Sequence, residues 1–290
     1  MRGFLLISGI LVSTGLPSTA LAQAEAGTTV QVAASPADEA DGGDRLTLGL
    51  AGGYGPSYEG SDDYRFRPGG IIQGSVSGFA FIARGTNLYV DLLRERPDAR
   101  TDLTLGPVVQ LRLERDSDIR DARVAALGTF KPAFEVGAYA GIGQSGLLNP
   151  YDKLSIDVAW RRDVSDIHDS SIVTPSISYA TPLSRRTFVL LSLSADHVGR
   201  EYGQTYFGVT PAGSVASGLA PYTIDTAGWK SAGATLLAFQ SLSGDVRRGW
   251  AAFAIGGYSE VLGRYRRSPI VAVAGRPQQL FGFAGIAYSF

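Results

Sequence analysis

From Arg45 to the C-terminus, apolar and polar residues alternate with a period of two, broken at intervals by Gly, Pro, Ser and Asp. Residues 101–114 show it most fully. Leu103, Leu105, Pro107, Val109, Leu111 and Leu113 hold the odd positions, while Asp102, Thr104, Gln110, Arg112 and Glu114 hold even ones. Alternation of that length marks a strand with two unlike faces. It recurs at Leu154, Ile156, Val158 and Trp160, at Val173, Pro175, Ile177 and Tyr179, and at Leu280, Ala284, Ile286, Tyr288 and Phe290. The pattern predicts about twelve strands, with about ten as the alternative count. They fall near 45–55, 64–75, 77–84, 86–93, 101–114, 131–142, 153–162, 170–180, 187–197, 228–241, 247–260 and 278–290, and no helical period competes with them.

Many of these strands exceed the about five or six residues usual in soluble sheets and match the about ten that a tilted strand needs to cross hydrocarbon. A soluble sandwich would bury the apolar face against a second sheet. A membrane barrel would turn that face to lipid, line its lumen with the other, and satisfy its backbone by closure. Periodicity is common to both, and three features favour the barrel. Tyr54, Tyr89, Trp160, Tyr179, Trp250 and Tyr258 sit near strand ends, where an interfacial girdle is expected. Connections also alternate in length: with a first strand running outward, the outer ones include 115–130, 198–227 and 261–277, and the inner ones Val76-Ser77, 181–186 and 242–246. The tiny outer connection at Arg84-Gly85 and the long inner one at 143–152 depart from that rule. Lastly, the chain ends on Phe290 with Tyr288 two before it, like the closing strand of outer-membrane barrels, although Phe283 stands where a polar residue is usual.

Charge and composition narrow the picture. Twenty-six basic residues against twenty-seven acidic give no field for nucleic acid, and the basic residues are scattered. With no cysteine, one Met and two His, disulfides, thiolate sites and most zinc, copper or haem constellations are excluded, and no cofactor is expected. Met1-Arg2, the apolar run from Phe4 to Leu16 and the small-x-small Ala20-Leu21-Ala22 read as a signal peptide over 1–22, cleaved before Gln23. Residues 23–44, rich in Ala, Gly, Asp and Glu without a period, read as a flexible periplasmic leader, and 45–290 as the barrel.

The stretch from Leu48 to Pro68, which contains Gly-Gly-Tyr-Gly-Pro-Ser-Tyr-Glu-Gly-Ser-Asp-Asp-Tyr, resembles the start of the MltA-interacting protein / OmpV family of outer-membrane proteins. The likeness extends to Tyr206-Phe-Gly-Val209, Ser268-Pro-Ile-Val271 and the closing Gly-Ile-Ala-Tyr-Ser-Phe. The resemblance implies a non-enzymatic scaffold in a Gram-negative outer membrane that brings a murein lytic transglycosylase together with a bifunctional murein synthase, a penicillin-binding protein. Other members are described as adhesins or osmotically regulated proteins. The family carries no catalytic residues, and none are assigned.

Several residues invite sharper readings. Glu59, Asp62 and Asp63 in the Tyr58–Asp63 loop have the chemistry of a calcium site but lack the Asp-x-Asp-x-Asp-Gly pattern, so they read as solvated turn residues joining the first two strands. His197 follows Asp196 on a strand carrying Ser192 and Ser194, and His168 lies between Asp166 and Asp169. Strand neighbours point to opposite faces, so Asp196 is badly placed to orient His197, which reads as a surface or rim residue rather than part of a lipid hydrolase. Arginine pairs at 161–162, 185–186, 247–248 and 266–267 read as strand-end charges, with lipid phosphate or murein carboxylate as alternative contacts. Alternation sends Asp102, Arg112, Asp157 and Arg161 into the lumen, where they either fill it or line a narrow passive pore.

Overall fold

The computed structural model describes residues 44–94, 99–116 and 119–290. The predicted signal peptide and all of the predicted leader except Asp44 lie outside them. Twelve antiparallel strands follow one another round a closed barrel, and the last pairs with the first. They are β1 (Arg45–Pro56), β2 (Tyr64–Val76), β3 (Phe79–Arg84), β4 (Asn87–Val90), β5 (Thr101–Arg112), β6 (Ala133–Ser145), β7 (Lys153–Asp163), β8 (Ser171–Pro182), β9 (Thr187–Val198), β10 (Gly228–Ser241), β11 (Gly249–Val261) and β12 (Gln278–Ser289). Twelve is the number the alternation indicates. The predicted strand at 86–93 is shorter than expected, being only Asn87–Val90, because β3 and β4 form a stub whose tip reaches no further than Gly70 of β2. Pro68 lies beyond that tip, in the half of β2 that has no β3 partner, where a missing N–H does least harm.

The two faces of the wall meet different surroundings. Outside lie Leu50 (74% exposed), Leu103, Ile156, Leu193, Leu236 and Ile286, an apolar belt that crosses the middle of the strands. Aromatic residues border it at both ends: Tyr54 meets Phe66 edge-on at 5.7 Å, and Trp250, Tyr288 and Phe290 form a chain with centroids 5.1 and 4.8 Å apart. Tyr89 is not in either border. It points inward and meets Tyr139 at 5.2 Å, because alternation along β4 sends Leu88 outward and Tyr89 to the lumen side.

The lumen is filled. Ala51, Ile71, Ile82, Tyr89, Val108, Tyr139, Ala159, Ala180, Leu190, Leu237, Phe253 and Ala287, one from each strand in order, belong to a single packed apolar layer across the barrel. Leu190 and Val108 have no exposed surface within this layer.

Turn chemistry separates the ends. At one end β2 and β3 join through Ser77 and Gly78, both at positive φ (56° and 82°), the pattern of a two-residue I′ hairpin. The other connections there span 91–100, 146–152, 183–186 and 242–248, and all but the first have seven residues or fewer. The opposite end carries the long connections, and these fold into helices that the strand periodicity did not foretell: α1 (Ala122–Ala125), α2 (Arg200–Phe207), α3 (Pro211–Ser217), α4 (Gly263–Arg266) and α5 (Pro269–Ala272). Elements of four to eight residues hold at most about two turns, too few to show a period of 3.6. Local signals were nevertheless present, since Thr210 and Ser268 cap α3 and α5 ahead of Pro211 and Pro269.

The belt makes a testable claim about its surroundings. Leu236→Arg, in the centre of β10, is expected to destabilise the barrel in lipid by about 2–4 kcal/mol, whereas the same change on a water-facing sheet would cost little. Urea titration in liposomes measures the difference.

Candidate functional site

At the long-connection end the lumen narrows to charged side chains contributed by successive strands. Arg112 of β5 donates through Nε (2.5 Å) and Nη2 (3.2 Å) to Glu135 of β6. Arg161 of β7 lies 3.7 Å from the same carboxylate and donates to Gln110 and, at 2.9 Å, to Thr174 of β8. The Thr174 hydroxyl donates to Asp196 of β9 at 2.6 Å. Lys230 of β10 lies 3.3 Å from Asp196 and donates at 2.7 Å to Glu59 from the β1–β2 connection. Three cations thus alternate with three carboxylates across the mouth, all buried. His168 joins them with Nε2 3.1 Å from Glu135.

A cap seals this array from outside. Tyr202 of α2 has no exposed surface; its ring lies under Arg112 (5.2 Å) and Lys230 (5.4 Å) and meets Tyr206 edge-on at 4.8 Å. Burial pushes the Tyr202 hydroxyl well above its ordinary pKa, so the ring meets both cations as a neutral phenol. Above it, Tyr206, Phe207, Ile224, Tyr265 and Val271 pack as one cluster, and Tyr58, Val124, Val209, Leu219 and Ile270 as another. Every long connection contributes a residue to these clusters. In the cap, Tyr58 donates to Ala274 O at 3.1 Å and Arg115 donates to Tyr206 O at 3.2 Å.

The Tyr58–Asp63 loop therefore differs from its reading as a solvated acidic turn. Ser57 and Ser61 tie its base together at 2.9 Å, Gly60 adopts φ 93°, and Arg67 and Gln279 hold its carbonyls. This geometry aims Glu59 inward at Lys230, while Asp62 stays exposed and Asp63 half-buried. The three acids do not converge on a common point. Asp196 and His197 point to opposite faces: Asp196 joins the interior array, and His197 packs against Trp229 at 5.2 Å on the outside. Of the lumen residues expected from alternation, Arg112 and Arg161 join the array. Asp157 is buried near Thr104, and Asp102 pairs with Lys153 at 2.8 Å towards the other end.

Lys230 was missed by alternation. A β-bulge between Trp229 and Ser231 inserts one residue against β9, so Lys230 and Ser231 are both buried although they are neighbours. Nothing in the local sequence marks the bulge. Glu135 was missed as well, because its strand is Gly- and Ala-rich and carries no strict polar face.

The arginine pairs separate. Arg161 is interior and Arg162 outward on Asp169 (2.8 Å), while Arg266 of α4 holds Glu260 at 2.7 Å. Arg185, Arg186, Arg247 and Arg248 remain together at the short-turn end, where Val246 N donates to Arg185 O at 3.1 Å and Ser241 N to Arg186 O at 2.7 Å. The neighbouring 146–152 turn is fixed by Asp152, which accepts from Leu147 N, Leu148 N, Asn149 N and Tyr179 Oη at 2.7 to 3.1 Å. It thereby presents Leu147, Leu148 (82% exposed) and Tyr151 outward.

Removing Lys230 should strand two buried carboxylates. Lys230→Met is expected to cost about 3–5 kcal/mol, and adding Glu59→Gln should restore part of it, as measured by unfolding in detergent. Asp152 gives a pH signature. Burial raises its carboxyl, but hydrogen bonds from Leu148 N, Tyr179, Leu147 N and Asn149 N outweigh that and hold its pKa below the ordinary carboxylate value. Its contribution is fully present above about pH 4, the unfolded value, and is lost as pH falls through the depressed folded value. Hydrogen exchange at the amides of Leu147, Leu148 and Asn149 should accelerate over that lower window in the wild type and already at neutral pH in Asp152→Asn.

No curated protein matches the chain. Among solved structures it is similar to OmpT of Vibrio cholerae (8% identity, 85% of this chain and 97% of that one, TM-score 0.35). It is also similar to the outer membrane channel DcaP of Acinetobacter baumannii (11%, 87% and 99%, TM-score 0.32) and to the toluene transporter TbuX of Ralstonia pickettii (12%, 85% and 89%, TM-score 0.31). At such scores these likenesses carry no argument about what passes through the barrel. The sequence does more than the shape: the family described as MltA-interacting protein MipA matches residues 48–290, from the first strand to the terminal phenylalanine, and the chain belongs to that family.

Proposed function

We propose that the protein is a non-conducting, non-enzymatic outer-membrane scaffold whose short-turn end faces the periplasm and receives a murein lytic transglycosylase, together with a bifunctional murein synthase. The observation that carries this reading is the double seal of the lumen. An apolar layer contributed by all twelve strands closes the middle of the barrel, and the ion array under its cap closes one mouth. A channel needs neither, and a scaffold gains a rigid platform from both. Bacterial barrels carry their short turns on the periplasmic side, where murein enzymes work. The family name speaks of interaction with MltA, which supports the transglycosylase as one partner.

Two measurements test the reading. Purified protein in planar bilayers should give no single-channel steps, and reproducible steps would overturn it. A photo-crosslinker at Leu148 in the 146–152 turn should capture a lytic transglycosylase in whole cells, whereas one at Val215 of α3, exposed at the opposite end, should not. Capture at Val215 alone would reverse the assigned orientation.

A further inference from the structure

Two of the short turns carry a concentrated charge that nothing in the described structure neutralises. Arg185 and Arg186 occupy the 183–186 turn, and Arg247 and Arg248 the 242–248 turn; all four are exposed. The backbone hydrogen bonds from Val246 to Arg185 and from Ser241 to Arg186 lock the two turns side by side. Asp245 is the only acid in either turn, and its Oδ1 accepts from the backbone N of Arg247 at 2.9 Å. Among the described residues none of the four guanidinium groups forms an ion pair. Exposed Leu183, Leu242 and Trp250 flank them, so the patch is both basic and apolar.

The chain enters the barrel at the same rim. β1 begins at Arg45 beside the end of β12, and β12 pairs with β11, whose first residue Gly249 follows Arg248. Asp44 accepts from Ser77 N at 2.6 Å, which fixes the point of entry. Ahead of it, residues 23–43 contain Glu25, Asp38, Glu39 and Asp41 and no Lys or Arg, with Val30 and Val32 among them. We propose that this acidic stretch docks in cis on the arginine turns, its carboxylates pairing with Arg185, Arg186, Arg247 and Arg248 and covering the patch.

Reach fits charge. Two strand spacings separate β1 from β11, about 10 Å along the wall, and four separate it from β9, about 19 Å. At about 3.3–3.6 Å per residue, Asp41 lies about 10 Å of chain from Asp44, and Asp38 about 20 Å. Asp41 is therefore spaced for the nearer turn, and Asp38 with Glu39 for the farther one. The pairing is indifferent to whether the barrel binds murein enzymes, and its test does not involve them.

Because the chain has no cysteine, engineered disulfides report the docking directly. Ala40→Cys is combined with Leu242→Cys in the arginine patch or with Leu92→Cys in the 91–100 turn on the other side of β1, leaving every charge in place. Under mild oxidation of the full chain in outer-membrane vesicles, the intramolecular cross-link to position 242 should form at least about tenfold faster than that to position 92, and that preference should vanish at about 1 M salt. It should vanish equally in the R185Q/R186Q/R247Q/R248Q background and in the D38N/E39Q/D41N background. Equal rates to both positions, a faster cross-link to position 92, or a preference that survives neutralisation of either partner would overturn the proposal. So would a cross-link that forms in purified protein but not in cells, which would assign the patch to an anionic lipid or protein instead.

Discussion

Hydrocarbon offers no hydrogen-bond partner to a peptide group, and the rest of this structure depends on that. A strand whose apolar face meets lipid must have both edges paired, so the twelve strands close with β12 against β1. Closure then fixes the second face. Whatever alternates with the lipid belt must share one lumen, into which every strand sends an apolar side chain. The apolar layer through Tyr89, Tyr139, Leu190 and Leu237 is the consequence at mid-height.

Towards the long-connection end the same confinement acts on charge. Arg112, Arg161 and Lys230 could not be buried singly without a large desolvation cost; Arg112 and Arg161 share Glu135, and Lys230 sits between Glu59 and Asp196. The arrangement is specific rather than strongly stabilising. It dictates where Glu59 must lie, hence the path of the β1–β2 connection, and Tyr202 lies against both Arg112 and Lys230. The family-like stretch around Glu59 is thus a structural fastener of the cap. Its most conspicuous acid is engaged with a lysine far along the chain.

The two ends of the barrel consequently differ in kind. One is a packed dome in which every long connection is committed to its neighbours. The other presents turns with exposed side chains, among which 146–152 has its backbone held by the Asp152 hydrogen bonds. A rigid turn that displays leucine and arginine loses little conformational entropy on binding, which suits it to recognition.

Strand number, most lipid-facing positions and the division into long and short connections were legible in the sequence, because a period of two and the spacing of turn residues are local properties; Leu113, buried just beyond the end of β5, is an exception. The lumen placement of Arg112 and Arg161 followed from the same alternation. The bulge that buries Lys230 beside Ser231, the inward turn of Glu59 and the inward position of Tyr89 on its short strand were not legible. Glu59 and Lys230 fix each other from 171 residues apart, and Tyr89 packs on Tyr139 of another strand, so only closure of the wall brings these partners within reach.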